Sequence, residues 1–144
     1  PTLVRTPVVL PLASATGLAQ GVVLVAEDNQ IALALVRDFL TAQGYDVVSA
    51  NNGQDAVHQL LQHRPDVVLM DVQMPVCDGL TATRNIRRLE DRTLAATPII
   101  ALTALAMPGD YERGIAAGMD AYLSKPVDFA ALLALMERFV NHAF

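Results

Sequence analysis

Five short apolar runs recur along the chain from Gln20 onward, at residues 22–26, 47–50, 67–70, 99–102 and 121–123. Most are rich in β-branched side chains, and they do not alternate apolar with polar residues. Unbroken runs of this length are typical of strands buried on both faces, as in a parallel sheet covered by helices. We therefore predict five strands of one parallel sheet.

Segments with helical periodicity follow the runs, and their apolar side chains lie three or four residues apart. The apolar faces predicted in this way are Ile31, Leu35, Val36, Phe39 and Leu40; Ala56, Val57, Leu60 and Leu61; Ala82, Ile86 and Leu89; Met107, Tyr111 and Ile115; and Phe129, Leu132, Leu133, Met136 and Val140. The first helix is expected to end at Gly44 and the fourth at Gly118, and Asp128 is expected to cap the fifth.

A strand followed by a helix, repeated five times, predicts an α/β fold with a doubly wound (βα)5 sheet, because parallel strands require right-handed helical crossovers. The pattern alone does not fix the order of the strands. In such sheets ligands bind at the carboxyl ends of the strands. Polar residues directly after the predicted strands are therefore the first candidates for a functional site.

Length, composition and charge narrow the class of protein. A chain of 144 residues, 53% of them hydrophobic, suits one domain with one core. The net charge of −5 argues against a nucleic-acid-binding surface, which needs clustered Lys and Arg. The single cysteine, Cys77, rules out an internal disulfide, and no apolar run approaches the ~20 residues of a membrane span. We expect a cytoplasmic domain that contacts neither nucleic acid nor membrane.

Acidic, hydroxyl and basic side chains follow four of the five predicted strands. Glu27 and Asp28 follow the first, Asp71 the third, Thr103 the fourth and Lys125, the only lysine, the fifth. Each residue alone has an ordinary explanation, such as a helix cap, a loop carboxylate or a solvated charge. Because all of them should meet at one edge of the sheet, a common site explains the set better.

The chemistry of this set favours a phosphoryl acceptor. Three carboxylates about 5 Å apart repel by roughly 3 kcal/mol per pair at an effective dielectric of 20, so the cluster should take up protons or bind a cation. Its ligands are all oxygens, which favours Mg²⁺ (or Mn²⁺). A carboxylate in such a site can attack phosphorus and form an aspartyl phosphate. Lys125 and Thr103 would then bind the other phosphoryl oxygens.

Several stretches resemble the receiver domains of bacterial response regulators in order, spacing and predicted context. They are residues 25–29 (VAEDN), 70–75 (MDVQMP), 78–79 (DG), 100–104 (IALTA), 117–122 (AGMDAY) and 122–126 (YLSKP). The resemblance covers about residues 20–142. It implies a flavodoxin-like sheet with strand order 2-1-3-4-5, in a domain that catalyses its own aspartyl phosphorylation and dephosphorylation.

The resemblance also implies roles for individual residues. Asp71 would take the phosphoryl group from a phosphohistidine on a histidine kinase or a histidine phosphotransfer domain. Glu27, Asp28 and Asp71, with the backbone carbonyl of Gln73, would hold Mg²⁺. Thr103 and Lys125 would contact the phosphoryl group, and Thr103 and Tyr122 would form a conformational switch. That switch would alter the face made by the fourth helix, the fifth strand and the fifth helix, which could also pair two copies of the domain.

The amino-acid sequences of the first two motifs are typical of receivers attached to hybrid sensor histidine kinases. A stand-alone response regulator is the alternative. Residues 8–12 (VVLPL) resemble the last strand of a kinase ATP-binding domain. We interpret residues 1–20 as a linker or the tail of a preceding domain, and residues 21–144 as the receiver. Such a parent kinase could be anchored in the inner membrane, with the receiver in the cytoplasm. Ala32 departs from the asparagine usual in that subgroup, outside the phosphorylation set.

Three other classes of protein share parts of this sequence pattern. A flavin-binding flavodoxin needs a phosphate loop after the first strand, where Glu27 and Asp28 would repel a phosphate. A haloacid-dehalogenase-type phosphatase has its nucleophile after the first strand and a second Asp two residues further on, whereas this sequence has Asn29 at that second position. A degenerate receiver would lack part of the acidic set. The remaining candidates, His58, His63, His142, Cys77 and the third-helix arginines Arg84, Arg87 and Arg88, are expected to be surface residues without chemistry.

Overall fold

The computed structural model describes residues 21–104 and 108–140. Its strands are β1 (Val22–Ala26), β2 (Asp46–Ala50), β3 (Val67–Asp71), β4 (Ile99–Thr103) and β5 (Ala121–Ser124). All neighbouring strands are parallel, in the order β2-β1-β3-β4-β5. This confirms the predicted fold class and strand order, and each predicted run lies within its strand with at most one residue of difference at either end.

The helices are α1 (Gln30–Ala42), α2 (Gly53–His63), α3 (Gly79–Arg87), α4 (Arg92–Ala95), α5 (Asp110–Ala117) and α6 (Phe129–Val140). Asp128 caps α6 as predicted, since its Oδ1 accepts the backbone N–H groups of Ala130 and Ala131 at 2.9 and 3.3 Å. Gly118 ends α5 with φ of 113°. The four residues of α4 were not predicted, because one turn is too short to show a period. None of the helices within the described ranges is long and apolar enough to span a bilayer.

Side chains of the sheet alternate between two apolar layers. Val23, Val25, Leu69 and others pack on one face against α1 and α6. Leu24, Val68, Met70 and others pack on the opposite face against α2, α3 and α4. The strands are therefore covered on both faces, which explains their unbroken apolar sequences.

Three of the predicted apolar helix faces, on α1, α2 and α5, are partly wrong. On α1, Ile31 and Leu35 are 75% and 58% exposed, because the stripe that meets the sheet runs instead through Leu33, Val36 and Leu40. Leu61 of α2 is likewise half exposed.

On α5, Tyr111 and Ile115 are 56% and 43% exposed, whereas the small residues Gly114 and Ala117 are buried. Met107, which was predicted to share this face, lies outside the described residues. Periodicity finds the apolar residues of a helix but does not say which of them reach the neighbouring layer.

The prediction that all three arginines of α3 face solvent is wrong for Arg87. Its guanidinium donates hydrogen bonds to the backbone carbonyls of Ala95, Thr97 and Gly118 at 2.7, 2.7 and 2.9 Å, and to Asp120 Oδ2 at 2.8 Å. Arg87 thereby joins α3 to the segments that precede β4 and β5. The other two arginines are exposed, as expected.

Candidate active site

The residues predicted to form a site lie at the carboxyl edge of the sheet. Glu27 directly follows β1, Asp71 ends β3 and Thr103 ends β4, and all three are buried, with 2%, 4% and 3% of their surface exposed. Asp28 beside them is exposed. The parallel register brings these strand ends together, since Asp71 is paired with Leu102 and the adjoining Thr103 with Ser124. The cluster therefore opens to solvent on the side of Asp28.

Three carboxylates form the acidic part of the site. Glu27, Asp28 and Asp71 each offer one oxygen, and these oxygens lie within 4.8 Å of one another. Backbone N–H groups orient two of them: Asn29 donates to Glu27 Oε2 at 3.1 Å, and Gln73 donates to Asp71 Oδ1 at 3.0 Å. The loops after β1 and β3 thus hold the carboxylates together despite their mutual repulsion.

Lys125 supplies the positive charge of the site. Its Nζ donates to Asp71 Oδ2 at 3.0 Å and also to Glu27 Oε1. Its backbone N–H donates to the carbonyl of Thr103 at 2.7 Å, which fixes the segment after β5 beside β4. The lysine therefore bridges the two buried carboxylates.

The protonation equilibria of the site reflect burial and the excess of acid groups. Burial raises the pKa of Glu27, and its hydrogen-bonding contact with Asp71 raises it further, although Lys125 and the Asn29 N–H oppose the shift. Burial lowers the pKa of Lys125, but the hydrogen bonds with Glu27 and Asp71 outweigh it, so the net shift is upward. The lysine stays charged, and the cluster favours additional positive charge.

A divalent cation fits this donor set. Three carboxylates share the site with a single ammonium, so acidic groups are in excess. The ligands are hard oxygens on a partly open crevice, which is the environment that Mg²⁺ prefers. Gln73 is exposed in the turn two residues after Asp71.

Tyr122 lies on β5 and is half buried. Its ring meets that of Tyr111 on α5 edge to face, with 6.0 Å between centroids. Within residues 21–104 and 108–140, its hydroxyl is the buried side-chain polar group that has no hydrogen-bond partner. The contact with Tyr111 was not predicted, because Tyr111 was assigned to the buried face of its helix.

The other candidate residues lie away from this crevice. His58 and His63 are exposed on α2, and His142 is outside the described residues. Cys77 is partly buried in the loop after β3, where burial, and then the charge of Asp78, raise the pKa of its thiol. A thiol with a raised pKa is a poor nucleophile at neutral pH.

The family of the chain follows from comparison with known proteins. The sequence profile of the response regulator receiver domain matches residues 23–137, so the chain belongs to that family and is a receiver domain of two-component signalling. It is 37% identical over 121 residues to the polar-differentiation response regulator DivK of Brucella anthropi, covering 84% of this chain and 97% of DivK. Family membership sets aside the flavin-binding and phosphatase alternatives.

Solved receiver structures share the fold. The receiver domain of the sensor histidine kinase PA1611 from Pseudomonas aeruginosa is 39% identical, with a TM-score of 0.77 over 84% of this chain and 98% of that domain; it has a magnesium ion in its active site cleft. The co-crystal structure of the Saccharomyces cerevisiae phosphotransfer protein Ypd1 with the receiver domain of Ssk1 matches with 31% identity. Its TM-score is 0.79, over 85% of this chain and 90% of the matched chain.

Proposed function

We propose that Asp71 accepts a phosphoryl group from a phosphohistidine on a histidine kinase or histidine phosphotransfer protein. The observation that carries the proposal is the position of Asp71, a buried carboxylate 3.0 Å from Lys125 Nζ and within 4.8 Å of oxygens from Glu27 and Asp28. In the transfer, a carboxylate oxygen of Asp71 bonds to phosphorus. The P–N bond of the donor breaks, and the imidazole nitrogen keeps its electron pair.

Glu27, Asp28 and Asp71, with the backbone carbonyl of Gln73, would hold Mg²⁺ (or Mn²⁺). When bound, the ion neutralises charge on the phosphoryl oxygens and the attacking carboxylate. Lys125, which already touches Asp71, would transfer one of its contacts to a phosphoryl oxygen. The Thr103 hydroxyl, at the end of the neighbouring strand, would donate to another. The site thus needs no rearrangement of the sheet to receive the group.

The phosphodonor is expected to dock over the side of the site formed by α1. Ile31 and Leu35 are the most exposed large apolar residues of this helix. Leu35 borders a cavity of about 270 Å³ that also reaches Lys125 and Phe129. A protein that brings a histidine to Asp71 could bury this apolar surface.

Phosphorylation would be read out through Thr103 and Tyr122. Movement of the Thr103 hydroxyl toward the phosphoryl group would leave space beside β4, and the ring of Tyr122 would favour the inward position. Its buried hydroxyl and its contact with Tyr111 support a coupling to α5. The face of α5, β5 and α6 would then change, and it is our candidate for pairing two copies.

The receiver is proposed to be cytoplasmic and to belong to a hybrid sensor histidine kinase, with residues 1–20 as a linker or the tail of a preceding domain and residues 21–144 as the receiver. Its similarity to the PA1611 receiver supports this origin. A stand-alone regulator is the second candidate, favoured by the similarity to DivK.

Labelling with acetyl phosphate and Mg²⁺ tests the proposal. The wild-type chain should take up one acid-stable, base-labile phosphoryl group, and Asp71→Asn should take up none. Asp78→Asn is a matched control, because Asp78 lies in the same loop and caps α3 through an oxygen that asparagine retains. Equal labelling of Asp71→Asn and the control would refute the assignment.

A further inference from the structure

An apolar row lies uncovered along α1. Ile31, Leu35 and Phe39 are four residues apart, so they follow one another on one face of the helix. Ile31 and Leu35 are 75% and 58% exposed, and the half-buried ring of Phe39 stacks on that of Phe129 of α6, with 4.6 Å between centroids. The cavity of about 270 Å³ lies beside this row and is lined by both Leu35 and Phe129. The row and the cavity together form an apolar surface that can bind a further segment.

The chain enters the domain on the same side. A Cβ atom at Gly21 would lie 3.1 Å from Cγ1 of Val140, which ends α6 and belongs to the apolar layer packed against α1 and α6. Gly21 directly precedes β1, so it lies at the amino edge of the sheet. Because α1 leads from the end of β1 back to the start of β2, Phe39 is the member of the row nearest this edge. Residues before Gly21 therefore approach the row from its Phe39 end.

Residues 8–12 (VVLPL) have a spacing that matches the row. In an extended chain Val8, Leu10 and Leu12 point to one side, about 6.6 Å apart. Residues four apart on a helix recur about 6 Å apart along its axis. Pro11 disfavours a helix here and restricts Leu10 to extended conformations. Three apolar side chains of this segment can therefore meet the three of the row.

Length and charge agree with this contact. Residues 13–20 separate the segment from Gly21 and can span up to about 26 Å, whereas the five residues of β1 span about 17 Å. The segment therefore reaches the carboxyl edge of the sheet. Residues 1–20 contain no acidic side chain and one basic side chain, Arg5. A chain that runs from Leu12 beside Phe39 toward the carboxyl edge would direct Arg5 toward the crevice where acidic groups are in excess.

We propose that residues 8–12, which lie outside the described residues, bind along the α1 row with Leu10 at the cavity beside Leu35. The contact covers the surface over which the phosphodonor is expected to dock, so it slows phosphotransfer from a protein donor. This second part rests on the proposed function. Since the segment and the row belong to one chain, the contact forms without the cost of bringing two molecules together. Acetyl phosphate does not need the α1 surface, and its reaction is unaffected.

Binding of the segment is measured by NMR on the 144-residue chain. Leu10→Asp places a charge in the apolar contact and should shift the signals of Leu35 and Phe129 away from their wild-type positions. Val9→Asp is the matched control, because Val9 points away from the row in an extended segment, and it should leave these signals in place. Unchanged signals in Leu10→Asp would overturn the proposal. So would signals that move with protein concentration but not with Leu10→Asp, which would place a second copy of the chain on the row.

The effect on phosphotransfer is measured with two kinds of donor, acetyl phosphate and a panel of phosphorylated histidine kinases and phosphotransfer proteins. In Leu10→Asp the ratio of the protein-donor rate constant to the acetyl phosphate rate constant should rise at least about threefold, because a covered surface lowers the apparent affinity of the donor. Val9→Asp should keep the wild-type ratio. If no protein of the panel labels Leu10→Asp faster than the wild type, the inhibitory role is wrong. Labelling by neither kind of donor would contradict the proposed function itself, and the NMR comparison would still decide whether residues 8–12 bind the row.

Discussion

Replacing Arg87 by methionine is expected to destabilise the domain strongly, although the residue lies on a helix whose other arginines are exposed. The guanidinium makes four hydrogen bonds, three to backbone carbonyls and one to Asp120. The Arg87 side chain is 22% exposed and that of Asp120 is 41% exposed. Asp120 Oδ2 also accepts the N–H of Ile99 at 2.9 Å, so the carboxylate links the arginine to the start of β4.

The size of the effect follows from these contacts. A hydrogen bond to a charged group contributes about 1.5–3 kcal/mol, and bonds to one guanidinium are not additive. Methionine keeps much of the apolar stem but leaves buried carbonyls without a donor. We expect a loss of about 3–4 kcal/mol, a large part of the ~5–15 kcal/mol that stabilises a typical domain.

Urea denaturation followed by circular dichroism measures this loss as a shift of the unfolding midpoint. Arg84→Met is the matched control, because it makes the same change at an exposed position of the same helix, and it should lie within about 0.5 kcal/mol of the wild type. Arg87→Lys should be intermediate or worse, since an ammonium cannot reproduce the planar fork. If Arg87→Met unfolds at the same urea concentration as Arg84→Met, the reasoning about this hydrogen-bond cluster is wrong.

Three further predictions concern the site. Adding Mg²⁺ should raise the Tm of the wild-type chain by mass action and by relief of carboxylate repulsion, and Asp28→Asn should lose most of this shift in a thermal melt; an undiminished shift would place the ion elsewhere. Lys125→Arg should accept phosphate from acetyl phosphate slowly or fail to couple it to partner binding, because a planar fork replaces a compact charge; normal labelling with a normal partner response would contradict the role of Lys125. In crystals with beryllofluoride and Mg²⁺, Thr103 and Tyr122 should occupy different positions from those in the apo form. The free energy that couples phosphorylation to this change is typically ~1–3 kcal/mol. Identical positions in both crystals would exclude the switch.

The apolar pattern was sufficient to predict the five strands and the fold class, because strands of a parallel sheet are buried on both faces; the strand order was predicted from the resemblance to receiver domains. Leu24 and Val25 face opposite layers, yet both must be apolar, so the run shows no alternation. The cluster of Glu27, Asp71 and Lys125 was predictable for a related reason, since the carboxyl ends of parallel strands must meet at one edge.

Other features depend on packing that local sequence does not encode. Ile31 and Leu33 are both apolar, and only the placement of α1 on the sheet decides that Leu33 is buried. Arg87 is indistinguishable in sequence from its exposed neighbours, because its partners come from segments that follow α3 at different distances along the chain. The positive φ of Val76 was also missed, since valine gives no signal for a left-handed backbone.

The central claim, that Asp71 itself carries the phosphoryl group, is tested most directly by chemical trapping. The chain would be incubated with a phosphorylated histidine kinase or phosphotransfer protein and Mg²⁺, and then treated with borohydride, which reduces an acyl phosphate to an alcohol. Peptide mapping by mass spectrometry then locates the modified residue. Homoserine in place of Asp71, with Asp28 unmodified, is the expected result. Homoserine at any other aspartate, or a phosphoryl group on a hydroxyl side chain with Asp71 intact, would contradict it.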